Sequence, residues 1–151
     1  MQTIGIRCTP NEVVFAVYDS DERVIVNNER IMIPAAMEVP TALKFIRSNL
    51  LDVLREYDIQ RAGIRITEPN AQRINIPRVQ IEGVIQEAFA SSGVEKYYVG
   101  QISSISARIR IPRTDFKKYI KGELDYEVEG WEDLSENERE ALLCAIGAAN
   151  D

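Results

Sequence analysis

Hydrophobic and polar positions alternate along the first part of the chain and then change period. From Thr3 to Thr9, Ile4, Ile6 and Cys8 fall on one face and Thr3, Gly5 and Arg7 on the other, the two-residue repeat of a strand. Pro10-Asn11 is a turn signal. Glu12 to Tyr18, EVVFAVY, is rich in β-branched and aromatic residues and reads as a second strand. Asp19-Ser20-Asp21 turns the chain into a third, Arg23 to Ile33, broken or bulged near Asn27-Asn28. Connections this short cannot cross a sheet, so the three strands form an antiparallel meander.

From Val39 to Tyr57 the period becomes helical. Val39, Ala42, Leu43, Ile46, Leu50, Val53, Leu54 and Tyr57 share a stripe, and Pro40 is compatible with a first turn. Arg61 to Thr67 is a fourth strand, which after a helix runs parallel to the first through a right-handed crossover. A polar loop leads to Pro77, and Val79, Ile81, Val84, Ile85, Ala88 and Phe89 mark a second helix that Ser91-Ser92-Gly93 stops. Lys96 to Val99 is a short fifth strand. Ile102 to Ile111 is ambiguous between helix and strand. Asp115 to Lys121 is a short helix ended by Gly122, and Glu123 to Asp133 an acidic loop. The last helix opens on a capping box, Ser135 with Glu138, and buries Leu142, Ala145, Ile146 and Ala149. The predicted order, three antiparallel strands, helix, strand, helix, strand and closing helix, is that of a ribonuclease H-like α/β fold: a five-stranded mixed sheet, strands 4 and 5 parallel to strand 1, helices on both faces, one domain over 1–151.

Composition narrows the chemistry. The 151 residues suit one core. A formal net charge of −6 gives no overall attraction for nucleic acid. No apolar run is long enough to span a bilayer, and MQTIGIRCTP lacks the pattern of a secretory leader. The chain has no histidine, which removes a His-based triad and the commonest zinc ligand. Cys8 and Cys144 sit far apart in apolar runs and read as buried, reduced thiols of a cytoplasmic protein.

Four segments, IGIRCTP at 4–10, GIRITEP at 63–69, IEGVIQ at 81–86 and EALLCAI at 140–146, together with the element order, resemble the RuvC-like branch of the ribonuclease H-like superfamily, in particular a small group of single-domain bacterial members with a degenerate active site. Active relatives hold two divalent metals on carboxylates, which activate water and stabilise the leaving oxygen in phosphodiester cleavage. They place one acid on the first strand, one at the fourth and one or two on the last helix. The resemblance puts Arg7 at the first position, Ile66 at the second, and Asn137 and Glu140 on the last. Only Glu140 keeps the acid; Glu68, two residues beyond Ile66, and Glu82 are possible substitutes. The expected site is a pseudo-nuclease in which Arg7 pairs with Glu140 or Glu68, with no metal and no cofactor. Glu82 and Gln86 are expected to be surface residues.

Two charge runs follow one another. Arg108, Arg110, Arg113, Lys117, Lys118 and Lys121, interleaved with Phe116 and Tyr119, have the composition of a single-strand nucleic-acid surface. The acidic run from Glu123 to Asp133, with Tyr126 and Trp131, balances it or docks a basic partner through Trp131. Three readings result. The preferred one is a catalytically inactive domain that binds a partner, most simply a protein. The second is a Mg²⁺- or Mn²⁺-dependent nuclease rebuilt from Glu68, Glu82 and Glu140. The third is a nucleic-acid binder through 108–121. The third strand, as a sheet edge, also permits a homodimer.

Overall fold

The computed structural model describes residues 1–150. Its strands are β1 (Gln2–Cys8), β2 (Glu12–Asp19), β3 (Val24–Met32), β4 (Arg61–Arg65) and β5 (Lys96–Gly100). The helices are α1 (Val39–Glu56), α2 (Ile76–Ser91), α3 (Ile102–Ile109), α4 (Phe116–Ile120) and α5 (Glu136–Ala149). The sheet order is β3-β2-β1-β4-β5. β1 to β3 pair antiparallel, and β4 and β5 run parallel to β1, the expected mixed sheet. The irregularity in β3 lies at Val26: Val17 pairs with Asn27 and Tyr18 with Ile25, so the strand continues through Asn27-Asn28.

β1 is covered on both sides. Ile4, Ile6 and Cys8 join Ile46, Leu50, Ile64, Ile85 and Phe89 in a core beneath α1 and α2. The opposite face carries a second core of Val14, Ala16, Tyr98, Phe116, Trp131 and Leu142 beneath α3, α4 and α5. α5 lies across β1, β2 and β4, and Gly5 permits it: a Cβ there would stand 1.9 Å from the Ala141 carbonyl oxygen and 2.3 Å from the Ala145 nitrogen. Thr3 Oγ1 and Tyr98 O–H donate to the carbonyls of Ala145 and Cys144, each at 2.8 Å. A helix held between sheet, α3 and α4 has no wet face, and every residue from Ala141 to Ala148 is buried. Burial covers far more of α5 than the expected stripe, and Ala149 is only half-buried.

The ambiguous segment is a helix. Ile105 and Ile109 are buried, and Arg110 closes α3 in a left-handed conformation, φ 60°, so the alternation at 108–111 is a helix end. α2 begins three residues before Val79, with Asn75 accepting from the Arg78 N–H at 3.1 Å. The acidic segment has no regular element beyond a 3₁₀ turn at Trp131–Asp133. Buried Arg139 holds it, donating to the carbonyls of Ile120, Trp131 and Glu132 at 3.1–3.2 Å. Among the described residues no helix is long and apolar enough to cross a membrane.

Candidate functional site

The parallel pairing of β1 and β4 sets Arg7 directly beside Arg65. Both lie one strand repeat beyond the glycine pair Gly5 and Gly63, on the face that α5 covers. Two guanidiniums therefore meet at the carboxyl ends of neighbouring strands, under the amino-terminal half of α5. Glu140 descends between them: its Oε2 lies 2.8 Å from Arg7 Nε and 3.5 Å from Arg65 Nε. Arg7 Nη1 donates to the Arg65 carbonyl at 3.2 Å, and Arg65 Nη1 donates to that of Ile66. Among the described residues the arginine Nε groups and Glu140 Oε2 lack an aligned hydrogen-bond partner, so the contacts are ionic.

The expected pairing of Arg7 with Glu140 is present. The expected fourth-strand position needs correction. Ile66 lies beyond the end of β4 and packs into the core under α1 and α2; the side chain that faces Arg7's partner is Arg65, 4% exposed. Burial, and next the charge of Arg7, lowers the Arg65 guanidinium pKa, with Glu140 and Glu68 opposing. Burial and Arg7 lower that of Arg78 likewise. Strict alternation from Gly63 leads to Arg65, whereas the resemblance over GIRITEP leads to its neighbour on the opposite face.

The other acids have structural partners. Glu68 Oε1 accepts from the Ile102 N–H at 2.8 Å, at the amino end of α3, and stands 3.6 Å from Arg65 Nη2. Glu82 is not a surface residue: it is 4% exposed. Its oxygens accept from the Thr67 N–H and hydroxyl at 2.9–3.1 Å, with Arg78 Nε at 3.5 Å. It ties α2 to the loop after β4. Gln86 is half-buried and donates to the Glu82 carbonyl at 3.3 Å. Asn137 is half-buried one turn before Glu140. Burial pushes both thiols up, Cys144 to about 11 and Cys8 further, with the charge of Glu82 adding to the effect.

The residues present do not fit the pair of divalent metals that the sequence resemblance implies. No group of three or more His, Cys, Asp or Glu among the described residues could hold an ion. The one acid at the centre already lies against two cations, and a divalent ion at Glu140 would meet Arg7 and Arg65 within contact distance.

The basic segment is dispersed. Arg108 stacks on Tyr98, 3.9 Å from the ring centre; Lys118 stands 3.7 Å from Asp115; Arg110, Arg113, Lys117 and Lys121 are exposed. Phe116 and Trp131 are each 1% exposed, so neither offers a stacking or docking surface, and Tyr119 packs edge-on against Tyr126.

The chain has a ribonuclease H-like α/β fold, with an ion cluster at the ends of β1 and β4. Its form is that of RuvC. Thermus thermophilus RuvC superposes with a TM-score of 0.74 at 13% identity, over 99% of this chain and 93% of that one. A second structure, T. thermophilus RuvC in complex with Holliday junction substrate, gives 0.70 at 14% identity, over 99% and 92%. The yeast mitochondrial Holliday junction resolvase Ydc2 gives 0.57 at 13% identity, over 98% and 77%. No protein-family model and no curated protein matches the sequence.

Proposed function

We propose that this chain is a non-catalytic RuvC-like domain that acts by binding a partner, and that the partner is a protein. The observation that carries this is the side-by-side pair Arg7 and Arg65 with Glu140 between them. The resemblance of the sequence leads one to expect carboxylates on the first and fourth strands; the two strand ends carry cations instead, and the charges compensate one another within the fold. Supporting the choice of partner, apolar side chains crowd the amino ends of α1 and α2. Val39, Ile76 and Val79 are 49%, 67% and 41% exposed. Val39 lines a groove of about 320 Å³ whose walls include Ile33, Met37, Leu43 and Ile81. Exposed apolar groups in a patch are a signature of protein association.

Calorimetry with Mn²⁺ and incubation with four-way junction, duplex and single-stranded DNA test this directly. The expected result is no heat of binding and intact substrates. Metal-dependent cleavage that disappears in Glu140→Ala would overturn it. A second reading, non-catalytic binding of branched DNA, draws on the RuvC structure solved with a Holliday junction. It expects junction affinity that falls steeply with salt; affinity that ignores salt, or none, rules it out.

A further inference from the structure

The far end of the α5 face holds a second concave site. A cleft of about 470 Å³ opens between the end of β2, the turn after it, the end of α5 and the loop around Val128. That size lies in the range of small-molecule sites. Tyr18, Tyr126, Val128 and Ile146 line it with buried or half-buried side chains, and Arg23, Arg110 and Glu127 are its exposed lining residues. It is separate from the ion cluster. Val14 pairs with Arg7 and Tyr18 with Thr3, so Tyr18 lies about 13 Å further along β2 at the usual strand rise.

Three features distinguish this cleft. First, both arginines lack partners: neither Arg23 nor Arg110 makes a side-chain ion pair or hydrogen bond with any described residue. The nearby carboxylate of Asp19 is engaged elsewhere, accepting from the N–H groups of Asp21 and Glu22 at 2.9 and 3.2 Å. Second, Arg23, Arg110 and Glu127 are three of the four non-glycine residues with left-handed backbone among the described residues, at φ 58°, 60° and 64°. Such conformations are unfavourable for side chains of this kind and concentrate at ligand clamps. Third, the Tyr18 ring is buried while the Arg23 charge acts on its phenol, and Tyr126 is fixed by donation to the Ile109 carbonyl at 3.4 Å. Two tyrosines and two unpaired guanidiniums lining one cleft are complementary to a molecule with an apolar ring and an anionic head.

We propose that this cleft binds a small organic anion, a ring-sized body bearing a phosphate or carboxylate, with the head on Arg23 and Arg110 and the ring between Tyr18 and Tyr126. Guanidiniums grip either head through paired N–H donors, and Glu127 can accept from a donor on the body.

Amide chemical-shift titration of the full chain with adenosine monophosphate, benzoate and inorganic phosphate tests the assignment. Saturable shifts at Ser20, Arg23, Arg110 and Val128 are expected with adenosine monophosphate or benzoate, the better ligand identifying the head group. Phosphate alone is expected to bind at least about tenfold more weakly, for want of the ring. Arg23→Gln and Arg110→Gln should each weaken binding roughly tenfold or more, as loss of a charge-assisted hydrogen bond does, with the remaining spectrum unchanged. Arg110→Gly provides a variant that keeps the left-handed helix end and removes only the side chain; it should lose affinity equally. Absence of saturation with all three probes overturns the proposal, as do shifts that persist undiminished in the doubly substituted chain or phosphate binding as tightly as the ring-bearing ligands.

Discussion

Glu140 is the residue on which the ion cluster turns. Among the described residues it is the only carboxylate in contact with Arg7 and the nearer of two in contact with Arg65, and its side chain is 15% exposed. Removing one member of a buried ionic group leaves the others desolvated and uncompensated, which costs more than the group contributes intact. Glu140→Gln should therefore destabilise the chain by about 3 kcal/mol, the lower end for a buried pair because the site is not fully dry. Replacing Arg7, Arg65 and Glu140 together by Met removes the charges and keeps much of the volume, and should recover most of that loss. Urea unfolding of the two variants reads the difference. A triple variant less stable than Glu140→Gln would show that the cluster is held for its own interactions and not as mutually compensated charge.

At the scale of elements, the approach of α5 to β1 depends on Gly5. A methyl group there would overlap the α5 backbone at Ala141 and Ala145, and helix backbone cannot rotate away as a side chain would. Gly5→Ala should cost at least about 3 kcal/mol, the upper part of the range for overpacking, or abolish folding. Gly83, exposed within α2, is open to solvent: a methyl group added there would meet nothing within 4 Å. Gly83→Ala should stabilise by roughly 0.8 kcal/mol through helix propensity. Thermal denaturation of both separates steric fit from propensity; equal effects would contradict the packing described. The contrast also explains what was legible in the sequence. A helix with one buried face carries its period openly, as α1 does; β2, buried on both faces, is legible instead from its β-branched and aromatic composition, and the element order and sheet topology follow from such segments. α5 is buried nearly all round and α3 ends in an arginine with left-handed backbone, so neither shows a clean repeat beyond its cap. Arg65 and Glu82 were harder still. A charged residue in a sequence reads as solvated, and their burial results from contacts with α5 and with Thr67 that no local pattern reports.

Across the whole molecule, the sheet and α5 bring three positions together, at residues 7, 65 and 140, and two of the three side chains are cations. Arg7→Asp alone should not create one: Arg65 would remain 3.5 Å from Glu140, and its charge would oppose the ion. Arg7→Asp combined with Arg65→Glu places two new carboxylates beside Glu140 on the face under α5. Without metal the three acids repel, so the double variant should be less stable than the parent. A divalent ion that binds only the folded form then adds stability as its concentration rises, about 2.7 kcal/mol at a hundredfold excess over its dissociation constant. Mn²⁺ should therefore raise the melting temperature of the double variant in proportion to the logarithm of its concentration. The parent and the Arg7→Asp single variant should not respond, and calorimetry should register heat only for the double variant. A parent chain that already responds to Mn²⁺ would remove the basis for a non-catalytic reading. A double variant that folds yet ignores the metal would mean that α5 stands too far from the strand ends for residue 140 to share an ion with positions 7 and 65.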